Sequence, residues 1–444
     1  MSAYRAGNYT EVIKGAPATL AAEPWNNELR LAYAYSLIWS GREWQSTAEF
    51  EKLIGTEVEV DARLGLANSY AWTGRLGESL PHYRLLAGTK HAGEAKQGLA
   101  NSLLWMHRED LALPLFQELR VTYPDQEVGK LGLFYALRAT RARTTLGTTY
   151  NHDNQPMSRN DPVLSHTWRM FDNSLILGIA GGESKDWFEN AGGASYKRRE
   201  YTFRAEAMAL PLEPRLYVTR VDELDTENAG TIFRLNPVPA RTFGELRLTL
   251  ADWPLYVNVG RIDWGKQSFT GKAQATGLVA DRYGIEGTYQ VEWGEIRGFV
   301  NHFKISQGDV PAVLQYNADN TVNNADLKLY TRWRPWGREI KPFIGAHMRY
   351  SDHTDPAYWS PEKYAVGYVG LEAGWEDKYW TLAALGQFGF KLAGDASTAY
   401  IASLAAKRWL NDDWAIGMTA YTQGGTRTAN YRASGASITV EKLW

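Results

Sequence analysis

The 444-residue chain contains no cysteine, which excludes a disulfide framework, a thiolate zinc site and a cysteine nucleophile together. It also lacks long apolar runs. No stretch approaches the ~20 residues a membrane helix needs, and mean hydropathy is −0.41. Charge of one sign is missing as well: 48 basic and 50 acidic residues give a formal net charge of −2. A nucleic-acid binder normally shows a clear basic surplus, so no nucleic-acid partner is expected. The opening residues, Met1 to Arg5, hold no apolar segment of signal-peptide type. What is abundant is aromatic and small: 18 Trp, 25 Tyr and 41 Gly. A composition rich in aromatics and glycine, yet hydrophilic on average, suits a water-filled β-barrel and also a soluble β protein.

Residues 1–141 repeat themselves. The segments LAYAYSLIWSGREW, LANSYAWTGRLGES and LANSLLWMHREDLA align so that Trp39, Trp72 and Trp105 fall at equal intervals, each followed three positions later by Arg42, Arg75 and Arg108. Gly7, Gly41 and Gly74 mark inter-helix turns, and Pro24 and Pro124 stand where second helices should stop. Small residues on the first helix of each pair (Ala32, Ala34, Ala67, Ala100) admit a neighbouring helix closely. The pattern resembles tetratricopeptide repeats, helix–turn–helix modules of about 34 residues that mostly bind proteins. About three units and a final helix over 127–141 are expected. The repeated tryptophans read most simply as inter-helix packing. The functional alternative makes Trp39, Trp72 and Trp105 aromatic contacts to a partner.

After Arg143 the period changes to two. Tyr283, Ile285, Tyr289, Val291 and Trp293 share one face, opposite Arg282, Glu286, Thr288, Gln290 and Glu292. Ala325, Leu327, Leu329 and Trp333 oppose Asp326, Lys328, Tyr330 and Arg332; Ile340, Ile344, Met348 and Tyr350 oppose Lys341, His347 and Arg349. Such runs reach about ten residues, longer than the ~5–6 of a typical soluble strand and matching the ~9–11 of a tilted membrane strand. Tight turns are expected at 172–173, 212–214, 252–254, 294–295, 337–338, 376–377 and 411–413. Longer polar loops are expected at 153–162, 184–194, 224–237, 306–323 and 351–362. Seven tight turns alternating with eight loops connect sixteen strands, the outer-membrane pattern. Trp253, Trp293, Trp333, Trp336, Trp375, Trp380, Trp409 and Trp414 cluster beside the tight turns as an interfacial girdle would, and the chain ends on Trp444 in the manner of a barrel sorting signal. The expected fold is therefore a short α-solenoid over 1–141 followed by a sixteen-stranded antiparallel transmembrane barrel over 142–444. A barrel of this kind must cross the inner membrane first, so the sequence reads as a mature or expressed fragment, with only six residues before Gly7.

Motifs of catalysis fail on inspection. Gly260 to Gln267 matches GxxxxGK but places Gln267 where a magnesium-binding Ser or Thr should stand, and no helix is expected there. The eight histidines show no ligand spacing and no nucleophile elbow occurs. Neither an enzyme, nor a metal, nor a cofactor is expected. Sixteen strands leave a water-filled interior. Its expected lining includes Arg204, Glu206, Glu245, Arg247, Arg282, Glu286, Glu292, Asp326, Lys328, Arg332, Lys341, Arg349 and Glu372, with Tyr256, Tyr330, Tyr364, Tyr368, Tyr379 and Tyr421 as stacking faces. Both signs of charge are interleaved. Mutual pairing across strands is the plain reading of them, and a hydroxyl-compatible substrate track is the functional one.

Repeats fused to a sixteen-stranded barrel resemble the exopolysaccharide-export porins of cellulose, poly-N-acetylglucosamine and Pel secretion. Tyr358 to Glu376 (YWSPEKYAVGYVGLEAGWE) is similar to a loop and late strand of the cellulose exporter, and Gly260-Arg261 to a Gly-Arg pair in that family, although IDWGKQSFTG departs from its usual continuation. The resemblance implies a monomeric, passive conduit in the outer membrane of a Gram-negative bacterium. Its periplasmic repeats would meet synthase components, modifying enzymes or peptidoglycan, and its barrel would meet outer-membrane lipid and the glycan chain. Two other classes remain open at this point: a surface-lipoprotein translocator, for which fourteen strands are expected, and a soluble repeat-plus-β adaptor.

Overall fold

The computed structural model describes residues 2–444 apart from 125–126, 156, 172, 189–193, 228–239, 251–254, 269, 271–272, 275, 311–314 and 333–339. It divides into two compact units, 1–140 and 141–444.

Among the described residues the first unit holds α1 (Ser2–Arg5), α2 (Tyr9–Ala22), α3 (Asn27–Trp39), α4 (Glu43–Glu51), α5 (Glu59–Trp72), α6 (Leu76–Leu85), α7 (Ala92–Trp105), α8 (Glu109–Thr122) and α9 (Glu127–Thr140). The helices pair along the chain as the repeat predicts, and α2 and α8 stop two residues before Pro24 and Pro124. The inter-helix turns need a left-handed residue. Gly41 and Gly74 supply it at φ +74° and +80°, and in the third unit His107 adopts φ +58° in the same place. The core is periodic too. Phe50, Tyr83 and Phe116, fully or almost fully buried, lie against Gly65, Gly98 and Gly132. A Cβ built on each of those glycines would fall 2.2–2.3 Å from the ring carbons.

The second unit is a single closed antiparallel barrel. Its strands are β1 (Arg143–Asp153), β2 (Met157–Met170), β3 (Leu175–Phe188), β4 (Ala194–Ala207), β5 (Arg215–Glu227), β6 (Arg241–Leu250), β7 (Leu255–Asp263) and β8 (Leu278–Val291). They continue as β9 (Gly294–Gln307), β10 (Asn320–Thr331), β11 (Ile340–Ser351), β12 (Tyr364–Glu376), β13 (Trp380–Gly394), β14 (Ala399–Trp409), β15 (Trp414–Gly424) and β16 (Arg432–Leu443). Each strand pairs with its sequence neighbours, and β1 closes the ring against β16 from Arg143↔Leu443 to Asp153↔Ala433. A short helix, α10 (Trp264–Ser268), interrupts the connection from β7 to β8.

The alternation of faces assigns the two surfaces. Every strand exposes at least one large apolar side chain on its outward face, among them Leu146, Ile179, Ile285, Leu327, Leu404 and Met418, each at least 46% exposed. A water-soluble protein does not present an unbroken apolar belt, whereas a barrel in lipid requires one. Trp293, Trp375 and Trp414 are exposed beside the tight turns, at girdle positions. Trp409 corrects the expectation: it is buried with Ala415 and Leu443, because its register partner Ala415 places it on the inward face. Trp253, Trp333 and Trp336 lie outside the described residues, as do the turns expected at 252–254 and 337–338 and Asp172 of the turn at 172–173.

The strands run further than polarity suggests. The loop expected at 153–162 shrinks to 154–156, and that at 184–194 to 189–193, because β2, β3 and β4 continue through Asn160, Asp161, Glu183 and Lys185. Above the lipid a ladder tolerates polar side chains, since its hydrogen bonds satisfy the backbone whatever the side chains are. The loops at 308–319 and 352–363 are long, as expected. The turn expected at 294–295 is instead Glu292-Trp293, with Gly294 already in β9.

Candidate functional site

The inward face of the barrel is a polar wall whose charges pair across neighbouring strands. Glu206 on β4 lies 3.1 Å from Arg204 and 3.7 Å from Arg215. Arg247 and Glu286 meet at 2.7 Å, and Arg282 and Glu245 at 2.8 Å. These last two pairs join β6 to β8 over the strand between them. Gly260 on β7 leaves the room, for a Cβ there would strike the Gly244 carbonyl at 2.3 Å and the Glu245 side chain at 3.0 Å. Further round, Glu372 accepts the Tyr330 hydroxyl at 2.6 Å and has Lys328 at 3.3 Å and Arg297 at 3.4 Å. Asp326 accepts the Tyr368 hydroxyl at 2.8 Å and lies 3.3 Å from His347. Tyr421 donates to Asn151 at 3.0 Å, and Lys341 stands opposite Glu372 in the β11–β12 register.

Several side chains named from the sequence do not line an open bore. Glu292 is an exposed turn residue, Tyr379 sits in the exposed turn after β12, and Arg332 lies in the bend just past β10. Tyr330, Tyr364 and Tyr368 face inward but are 0%, 2% and 1% exposed. Tyr330 and Tyr368 enclose Phe343, and Tyr364 packs on Trp359 with ring centroids 5.0 Å apart. Their faces are spent on the wall, so they offer no free stacking surface. Arg261, beside Gly260, points outward to Asp281 at 2.8 Å.

The helix α10 went unforeseen. It contains the end of the GxxxxGK segment, yet Lys266 at its centre is engaged by Glu200 of β4 at 2.5 Å rather than free for a phosphate. Arg159 of β2 donates to the Lys266 carbonyl at 3.4 Å. On its other side Trp264 packs on Phe303 of β9 (centroids 5.0 Å) and on Tyr358 of the 352–363 loop (5.7 Å). Strands β2 and β9 stand almost opposite each other in the ring, so α10, held from both, lies within the bore. Trp264, Phe303, Ile305, Val322, Ala357 and Tyr358 form the apolar core that holds it there. A sequence signal existed: Trp264 and Gly265, just past the end of β7, are an apolar interruption in a connection that should be polar if it faced only water.

In the helical unit, Trp39, Trp72 and Trp105 end α3, α5 and α7 and are 54%, 44% and 51% exposed. They stand at the edge of the packing rather than in its core, whose contacts are made by Ala34, Phe50, Ala67, Tyr83 and their neighbours. The Trp39 and Trp72 rings lie 5.5 Å apart. Two of the arginines that follow them make structural contacts: Arg75 lies over Trp44 at 4.1 Å and Tyr70 at 4.4 Å and donates to Thr47 at 3.0 Å, and Arg108 pairs with Asp110 at 2.8 Å.

No family profile matches this sequence, and no curated protein matches it. Among solved structures, a bacterial polysaccharide outer membrane secretin aligns at TM-score 0.50 and 10% identity over 69% of this chain and 99% of its own. OccK3 (OpdO) of Pseudomonas aeruginosa aligns at 0.36 and 8% over 68% and 96%, and MamA of MSR-1 at 0.28 and 18% over 30% and 79%. The first of these likenesses shows the fold alone: the closed barrel of this chain is similar to the barrel of that secretin.

Proposed function

We propose that this protein exports a bacterial exopolysaccharide, cellulose-like or a related glycan, through its barrel from the periplasm to the cell surface. The helical repeats work in the periplasm, where the exposed Trp39, Trp72 and Trp105 meet synthase or modifying components. The observation that carries this reading is the inward wall of paired, interleaved charges inside a closed, apolar-skinned barrel. Such a wall presents hydrogen-bonding groups to a hydroxyl-rich chain with little net field to hold it, as passage requires. The secretin that shares the barrel fold handles polysaccharide, and sixteen strands are the number the exporter reading needs, whereas fourteen would favour a lipoprotein translocator. The barrel is a passive path in this reading, with no cofactor and with the driving force supplied by the polymerase. The test is deletion of the gene in its host. Surface glycan should disappear while glycan accumulates in the periplasm. Intact surface glycan with a mislocalised surface lipoprotein would move the protein to the translocator class.

A further inference from the structure

Most inward arginines among the described residues have a carboxylate beside them, but one station holds two that do not. Beside α10, a cavity of about 250 Å³ is lined by Trp264, Asn324, Arg349, Trp359, Gln423 and Arg427 among others. Its two arginines come from β11 and from the connection between β15 and β16, so the cavity reaches across several strands of the bore. Arg349 donates to the Trp359 carbonyl oxygen at 3.2 Å, and its guanidinium lies 5.6 Å and 5.1 Å from the Trp264 and Trp359 rings. Its Nε is buried and donates to nothing in the protein. Arg427 lies over Tyr431 at 4.7 Å, and its Nη1 is likewise buried without an acceptor. The charge of Asp153 acts on Arg427 from beyond ion-pair distance; its Oδ1 accepts the Gln155 and Met157 amides at 3.0 Å and 3.2 Å, and its Oδ2 is buried without a hydrogen-bond partner. Among the described residues no carboxylate comes within 4 Å of either guanidinium. Elsewhere in the lumen Arg204, Arg215, Arg247, Arg282 and Arg297 each have a glutamate within that distance.

A partly buried guanidinium with no carboxylate at contact distance is left with donors that a ligand can satisfy, and its fork fits a carboxylate or phosphate bidentately. Two of them beside two tryptophans, with an amide on either side, make a site for a sugar that carries negative charge. The half-buried Trp359 ring supplies an apolar face for the pyranose, Trp264, 4% exposed, closes the cavity from the apolar core, and Asn324 and Gln423 supply amides for its hydroxyls. We infer that the exported glycan is acidic, bearing carboxylate or phosphate groups on its sugars, and that Arg349 and Arg427 read those groups as the chain passes α10. The inference rests on the export reading and adds the charge of the cargo to it. The remainder of the wall, where the charges are largely paired, lets such a chain slide, and the station gives it one point of recognition.

The test is block of single-channel current through the full-length protein in a planar bilayer by galacturonate, cello- and chitosan oligosaccharides of equal length. Oligogalacturonate should half-block the current at a concentration at least ~10-fold below that of the cello-oligosaccharide, by the usual span of one charge-assisted contact. The R349Q/R427Q double variant should bring the two concentrations within about twofold of each other. The single variant R427Q, whose arginine lies in a connection rather than a strand, gives the same reading at reduced size if the double variant does not fold. Equal block by neutral and acidic chains, or strongest block by the cationic one, overturns the acidic-glycan inference and leaves export standing. A conducting pore that none of the three blocks overturns the export reading itself.

Discussion

At the residue scale the helical unit contains a group whose surroundings disfavour its charge. His82 on α6 stacks on Tyr70 with ring centroids 5.5 Å apart, and its Nδ1 lies 3.3 Å from a nitrogen of Arg63. Burial, and then the Arg63 charge, hold its pKa below the ordinary value of 6.5, with Glu51 pulling weakly the other way. The unfolded chain therefore takes up a proton near pH 6.5 that the folded repeat resists. More protons are bound in the unfolded state across that window, so stability rises with pH through it and is lost as pH falls from neutrality. Asp61 acts lower on the scale. Burial raises its pKa, but hydrogen bonds from Lys90 and His91 outweigh that and leave it depressed. Its contribution is present above the ordinary aspartate range and is lost only as pH falls through the depressed value. The melting temperature of the helical circular-dichroism signal should thus drop between pH 7.5 and 5.5 in the native protein and stay flat in H82Q, while both fall again near pH 4. A drop of equal size in H82Q over the upper window would mean that another group titrates there.

At the element scale the repeats show what was legible and what was not. The interval of Trp39, Trp72 and Trp105, the turn glycines and the terminating prolines gave the helices and their boundaries, because each is a local requirement readable in one dimension. The depth of the tryptophans was not legible, since Trp39 and Trp72 meet between α3 and α5 yet stay about half exposed, and a helix pattern says which residues recur but not which recurrence fills the core. The recurrence that does fill it, Gly65, Gly98 and Gly132 under Phe50, Tyr83 and Phe116, joins different helices and emerges only when they are packed. It carries a sharp expectation. Gly98→Ala raises intrinsic helix propensity by about 1 kcal/mol, but the new methyl would stand 2.3 Å from the Tyr83 ring, and overpacking of this kind costs about 1–3 kcal/mol. Gly77→Ala, in α6 with nothing within 4 Å of the added carbon, collects only the gain. Chemical denaturation followed by helical signal should place G98A below the native protein and G77A at or above it. The reverse order would show that Tyr83 swings aside freely and that the glycine is not a packing device. In the barrel the same division holds. Period-two alternation fixed strand number and facing because lipid and water impose it strand by strand. The burial of Tyr330, Tyr364 and Tyr368 depends on neighbours two strands away and left no local trace.

At the scale of the whole molecule, the barrel alone would enclose a wide aqueous channel, and what narrows it is a connection folded inward. The anchors of α10 differ in kind on its two sides. Toward β2 and β4 they are polar: Lys266 to Glu200 and Arg159 to a backbone carbonyl. Toward β9 and the 352–363 loop they are apolar, with Trp264 4% exposed among Phe303, Tyr358 and Ala357. An ion pair facing an aqueous lumen contributes roughly 0–1 kcal/mol, whereas burying a large aromatic side chain contributes several times that. The apolar side therefore holds the helix, and the polar side aligns it. Lys266→Ala should leave mean conductance within about twofold of native and add current noise as the helix rocks on its apolar hinge. Trp264→Ala, which costs about 3–5 kcal/mol of packing, should release the segment and raise conductance several-fold, with the heat-modifiable mobility of a closed barrel retained on detergent gels. Single-channel recording of the two variants separates the contributions. If Trp264→Ala conducts as the native protein does while Lys266→Ala opens the pore, the polar anchors hold the helix and the order of strengths argued from burial is wrong.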